Sequence, residues 1–148
     1  MKICDHTSVG ILVWRNNKLL LISRKKHPLG LAPPAGHVDN RPSFEAAARA
    51  ELSEETGLKA TKLIEIASGK KNNPCRRSGG AWHFWRVYVA ETSGTLTPSQ
   101  HETLGAGWYT ESEIRHMIEF GIFDGAPLEA VWQDWFREID VLRFFSRP

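Results

Sequence analysis

The segment from Gly36 to Leu58, GHVDNRPSFEAAARAELSEETGL, constrains this chain more than any other. Ser43 is suited to cap a helix and Gly57 to end one, so the spacing predicts a short helix between them. On that helix Glu51, Glu54 and Glu55 stand at i, i+3 and i+4 and share one side, within roughly a third of the circumference. Phe44, Ala47 and Ala48 lie on the same side one or two turns earlier. A face that begins apolar and ends acidic leaves its carboxylates half-buried, where they repel one another and lose hydration. A bound divalent cation relieves both costs. Hard, oxygen-preferring ions such as Mg²⁺ suit such a site, usually together with substrate phosphates.

Glutamates clustered on a helix are most often plain solvated side chains. Three features argue against that here. Within the helix no Lys or Arg stands four residues from Glu51 or Glu55. The face they share is otherwise apolar. An irregular Pro/Gly segment, Leu31-Ala32-Pro33-Pro34-Ala35-Gly36, leads into the helix and can bring backbone carbonyls near the acids.

These residues resemble the Nudix box of the Nudix (MutT-like) hydrolases. The pattern is a glycine, a Glu six residues on, then Arg-Glu-apolar-x-Glu-Glu-x-Gly-apolar. Gly36, Glu51, Leu52, Glu54, Glu55, Gly57 and Leu58 match it in register. Two positions depart from it: the first Glu falls on Pro42 and the Arg on Ala50. Arg49 is one residue early, where it can pair with Glu45. In the family the missing pair mostly braces the loop-helix-loop, while the metal-binding glutamates are all present here. The resemblance implies an α/β (α+β) fold, an α/β/α sandwich around a mixed sheet, as a single domain over residues 1–148 with its box at 36–58. It implies Mg²⁺, with Mn²⁺ as the alternative ion, on Glu51 and Glu55, helped by Glu54 and the Gly36 carbonyl.

The rest of the chain agrees. A length of 148 residues suits one domain with a sizeable core. A net charge of +2 argues against binding to long nucleic acids, though not against a single nucleotide. Cys4 and Cys75 form no CxxC motif and read as free thiols of a reducing, cytoplasmic compartment. The apolar run near the N-terminus is too short for a signal peptide, and no stretch approaches a membrane span. The six histidines are spread through the chain and suggest no zinc-type cluster.

A coarse pass predicts strands over 7–14 and 18–24 joined by a turn at Asn16-Asn17, then the box helix. Further strands are expected over 61–67, 81–91 and 107–109, with loops at 70–80 and 92–105. Thr110 and Glu113 predict a capping box opening a helix to about Ile118. Pro127 is expected in the first turn of a final helix reaching about Phe144. Val131, Trp132, Trp135, Phe136, Ile139 and Leu142 give that helix a broad apolar face, for the core or for a homodimer contact.

Other residues are weighed against plainer roles. Arg24 ends the second strand; in the family such an Arg often faces substrate phosphate, and the alternative is a solvated strand end, as for Lys25 and Lys26. Lys70, Lys71, Arg76 and Arg77 flank a loop that could fold over a diphosphate, although a plain basic loop is the simpler reading. In the family an acidic residue on the loop before an aromatic-bearing strand often serves as a further metal ligand or as the base, and Glu102 before Trp108 resembles it; a plain polar loop glutamate is the alternative. His37, just after the box glycine, could reach the phosphates; an exposed loop histidine is simpler. Alternation puts His83, Trp85 and Val87 on one face of their strand and Trp82, Phe84 and Arg86 on the other. Such an aromatic-rich strand is more often core than a stacking platform; Trp85, with Phe84 as the alternative, is the candidate to stack on a nucleobase.

The function implied is metal-dependent hydrolysis of a diphosphate linkage in a nucleoside di- or triphosphate or a nucleoside diphosphate derivative. Glu54 or Glu102 would take the proton from the attacking water. Pro42 and Ala50 leave open a binding or regulatory module that kept the fold and lost turnover. Chemistry like that of the isopentenyl diphosphate isomerases would need a cysteine in the active site.

Overall fold

The computed structural model describes residues 2–25 and 29–146. Lys26 lies outside them. The chain forms a mixed sheet with helices on both faces.

Strand β1 (Thr7–Arg15) and strand β2 (Lys18–Arg24) form the expected hairpin. Asn16 and Asn17 both take positive φ, 53° and 58°, as a tight two-residue hairpin turn requires. The two strands pair only near that turn, Trp14 with Leu19 and Arg15 with Lys18. Beyond it they separate. The Pro/Gly segment, expected to be irregular, supplies a short strand to each: β3 (Gly30–Ala32) pairs with β2, and β4 (Ala35–Gly36) pairs with β1. Proline lacks an N–H but keeps its carbonyl, and the Ile11 N–H donates to Pro34 O at 3.0 Å.

Helix α1 (Phe44–Thr56) follows, with Ser43 accepting from the Ala46 N–H and Gly57 in the left-handed conformation at its end. Strand β5 (Lys59–Lys71) runs further than expected because its polar end stays paired with β6 (His83–Ser93), Lys71 opposite His83. Strand β6 lies parallel to β1. Strand β7 (Thr103–Tyr109) also starts earlier than expected, pairing along β2 as far as Arg24. Helix α2 (Glu111–Phe120) opens with the capping box of Thr110 and Glu113.

Pro127 is not in a helix. It belongs to a small ribbon of β8 (Ile122–Phe123) and β9 (Ala126–Pro127). The next residues are tied elsewhere, the Leu128 N–H to Gly121 O and the Glu129 N–H to Leu31 O, both at 3.0 Å. Helix α3 therefore begins only at Ala130 and ends at Glu138, before a 3₁₀ turn over Val141–Phe144.

Two cores result. Val9, Ile11, Val13 and Leu20 pack under Ala47, Ala48 and Leu52 of α1. On the opposite face Leu12, Leu19, Leu21, Trp85 and Val87 pack under Ile114, Trp132, Trp135 and Phe136. Trp132, Trp135 and Phe136 of α3 are thus buried within the chain. No helix among the described residues is long and apolar enough to cross a membrane.

Candidate active site

The site lies where β1 and β2 part. Gly36 on β4 sits at one side, Arg24 at the end of β2 at the other, and the last turns of α1 cover both. The turn before β7 closes the group: the Lys25 N–H donates to Glu102 O at 3.2 Å, which holds Glu102 beside the β2 terminus.

Glu51, Glu55 and Glu102 offer carboxylate oxygens that all lie within 4.8 Å of one another. They border a cavity of about 180 Å³ that Arg24, Gly36, His37, Arg76 and Arg77 also line. Glu55 is only 3 % exposed and accepts from the Ala35 N–H at 3.3 Å. Burial raises its pKa well above the ordinary carboxylate range; Arg24 opposes the shift, and Glu51 and Glu102 add to it. Glu51 is also raised, by burial first, against the pull of Arg41. These are acids held in a place where their charge is disfavoured, as expected of a site completed by a cation. Gly36 belongs to the same design, because a Cβ there would overlap the Glu51 carboxylate. All-oxygen donors, crowding and burial together fit a hard divalent ion.

Glu54 stands apart from this trio. Its side chain is 53 % exposed, and both of its oxygens accept from Arg41 Nη2 at 3.1 Å. Arg41 also donates to Glu51 at 2.8 Å and to His37 O at 3.0 Å. The glutamates therefore do have a cationic partner, from the loop and not from the helix. Arg49 pairs with Glu45 as expected.

Arg24 faces the cavity but is committed to Glu129, with Nε 2.5 Å from the carboxylate. The contact is an ion pair without hydrogen-bond alignment, since neither atom has a well-angled partner. Burial works against the Arg24 charge, and Glu129, Glu55 and Glu51 more than offset it. Glu129 escaped sequence reasoning: it precedes a helix, and its partner lies far away along the chain.

The basic loop divides. Lys71 pairs with Asp134 and Glu138, Arg77 with Asp39, and Lys70 stands over the Trp82 ring. Arg76 is exposed and lines the cavity, with no ion-pair partner among the described residues. Lys25 is exposed and donates to Gln100 O.

Trp85 is not a stacking platform. It is 2 % exposed, its ring is packed edge-on to Trp132 and Trp135, and its indole N–H donates to Asn73. Phe84 sits on the α1 side against Phe44, and Trp82 stacks on His6. None of the three presents a free ring to the carboxylates. His37 is partly buried, and burial together with nearby Arg77 lowers its pKa to about 4. The cysteines and histidines, scattered in sequence, do meet: Cys4, His37, Cys75 and His83 bring one donor atom each within 4.8 Å of the others.

A NUDIX domain family model matches residues 5–130. A search among curated proteins finds no match. Among solved structures, the MutT protein from Methanosarcina mazei Go1 aligns with a TM-score of 0.73 at 17 % identity, covering 97 % of this chain and 99 % of that one. The NUDIX domain of Shewanella oneidensis NrtR, solved with ADP ribose, gives 0.65 at 16 % identity over 93 % and 88 %. A C. elegans Ap4A hydrolase binary complex gives 0.61 at 16 % identity over 93 % and 98 %. At these identities the likeness is one of fold, and the family rests on the domain match: the chain belongs to the NUDIX family.

Proposed function

We propose that this chain hydrolyses a diphosphate linkage in a nucleoside diphosphate derivative or a nucleoside di- or triphosphate, with Mg²⁺ or Mn²⁺. The observation that carries the reading is the convergence of Glu51, Glu55 and Glu102 with Arg24 and Arg76 on one cavity. Glu51 and Glu55 would hold the ion, with the Gly36 carbonyl at the same wall. The ion supplies charge neutralisation at the diphosphate and lowers the pKa of the attacking water. Arg76 is free to bind a phosphate oxygen, and Arg24, fixed by Glu129, adds positive potential behind it. Glu102 is the general base, because it is exposed at the cavity while Glu54 is committed to Arg41. The products are two phosphate-bearing fragments.

The nucleotide preference rests on the cleft and on relatives, no longer on β6 aromatics. The carboxylate cavity adjoins one of about 170 Å³ through shared Arg24, His37 and Arg76. That one adjoins another of about 330 Å³ through Asn73, Pro74 and Glu129. Pro74 and Val131 give the last apolar surface and Asn72 and Asp134 polar groups, a setting for the organic part of a substrate. ADP ribose and Ap4A, named for two structural neighbours, are of this class. Arg41 weakens the case for a module without turnover, since it restores a cation to the box. The cysteines are grouped with the two histidines, and neither lines the carboxylate cavity, which weakens the isomerase alternative.

The test is phosphate and pyrophosphate release from nucleoside di- and triphosphates, ADP ribose and Ap4A, with Mg²⁺, with Mn²⁺ and without either. Metal-dependent turnover is expected with at least one. Glu55→Gln and Glu102→Gln should each lower it by about 10²-fold or more. Turnover unchanged in Glu55→Gln would remove the metal assignment.

A further inference from the structure

Four residues that the diphosphate chemistry does not use converge from separate parts of the fold. Cys4 lies in the N-terminal segment, His37 just after β4, Cys75 in the β5–β6 connection, and His83 at the start of β6. Cys4 Sγ is 3.4 Å from His83 Nε2 and 3.6 Å from His37 Nε2. Zinc bonds of about 2.3 Å to sulfur and 2.0–2.1 Å to nitrogen give a tetrahedron with edges of roughly 3.3–3.8 Å. We propose that Cys4, His37, Cys75 and His83 bind one Zn²⁺ in a closed structural site.

The groups around the four donors are those such a site needs. Each sulfur accepts a backbone N–H from two residues on, Cys4 from His6 at 3.3 Å and Cys75 from Arg77 at 3.4 Å. Such bonds stabilise thiolate ligands. The His83 tautomer is fixed. Asn73 Oδ1 accepts from the Trp85 indole, which can only donate, and so the amide is oriented with its oxygen inward. The same oxygen is 3.3 Å from His83 Nδ1, which must carry the proton, leaving the Nε2 lone pair aimed at the centre. Cys75 is wrapped by its own turn: its N–H donates to Gly80 O at 2.8 Å, and a Cβ on Gly80 would overlap its sulfur.

Sulfur and imidazole select zinc, whereas the nearby oxygen trio selects a hard ion. The two sites therefore differ in metal as well as place. Zinc here would tie three pieces to the start of β6: the N-terminal segment, the residue after the box glycine, and the loop that carries Arg76 to the cavity. The Cys4 N–H bonded to Ser78 O at 2.9 Å and the Asp39–Arg77 ion pair already run along these seams.

The experiment measures metal content and does not depend on turnover. The chain is purified under reducing conditions without a metal-affinity tag or chelator, and zinc is counted by plasma mass spectrometry. About one zinc per chain is expected, falling to background in Cys4→Ser and in Cys75→Ser. Because those variants could fail to fold, Co²⁺ is also loaded into wild-type protein. A thiolate-to-metal charge-transfer band with intense tetrahedral d–d bands, abolished by added Zn²⁺, is the expected spectrum. Wild-type protein that carries no zinc and takes up none from an equimolar addition overturns the site. So does a cobalt spectrum without the thiolate band, full zinc content in the Cys4→Ser/Cys75→Ser double variant, or a Cys4–Cys75 disulfide in freshly lysed cells.

Discussion

Arg41 donates to Glu51 and Glu54 from the loop before α1, at the point where the box pattern has its first acid one residue later and its arginine on the helix. A guanidinium that reaches back from the loop neutralises the same carboxylates that a helix arginine would stand beside, which is a physical reason for Pro42 and Ala50 to be tolerated. Two outcomes follow. Pro42→Glu with Ala50→Arg should change turnover only a few-fold, far less than Glu55→Gln does. Arg41→Ala should lower the melting temperature in Mg²⁺-free buffer, by the equivalent of about 1 kcal/mol for a part-exposed ion pair. Saturating Mg²⁺ should narrow that gap, because the ion takes over the neutralising charge. A gap that Mg²⁺ leaves unchanged would mean that Arg41 braces the loop and does nothing for the carboxylates. The acids themselves were legible at this scale, since Glu51 and Glu55 are fixed by helical spacing alone. Arg41, Glu129 and the Cys/His group were not, because each acts on a residue that only the tertiary fold brings near.

Strand β6 separates two kinds of aromatic by alternation. Trp85 points into the core beneath α3, and Phe84 points to the α1 side, where it remains 37 % exposed. Trp85→Ala should therefore cost about 3–5 kcal/mol in denaturant unfolding, as for other large-to-small changes at buried aromatics. Phe84→Ala should cost about 1 kcal/mol or less and leave the Michaelis constant unchanged. A raised Michaelis constant in Phe84→Ala with intact stability would return the base-stacking role to this strand. The alternation itself was readable from the sequence, as were the hairpin, the capped box helix and the capping box of α2, because each is set by neighbours in the chain. The short strands β3, β4, β8 and β9 and the late start of α3 were not. Their bonds run to partners distant in sequence, such as Leu31 O for Glu129, and no local pattern announces them.

At the scale of the whole molecule, the parting of β1 and β2 creates a cavity whose walls hold three carboxylates, two of them buried enough to be pushed up in pKa. That has a thermodynamic consequence. A carboxyl whose folded-state pKa exceeds its unfolded value binds its proton more tightly in the folded chain, so the native state holds more protons over that interval. Stability must then fall as pH rises from the unfolded carboxylate range, near 4.3, up through the raised values. A divalent ion competes with those protons and stabilises only the folded chain, so its benefit grows in the same direction. In Mg²⁺-free buffer the wild-type melting temperature should drop, as pH rises above the ordinary carboxylate range, more steeply than that of Glu55→Gln, an uncharged near-isostere. Every other titrating group is common to the two proteins, and the difference between the curves isolates this site. Adding Mg²⁺ should raise the wild-type melting temperature more at the higher pH and leave the variant nearly unmoved. Parallel curves for the two proteins, with no Mg²⁺ effect on either, would show that the buried carboxylates are satisfied within the protein and await no ion.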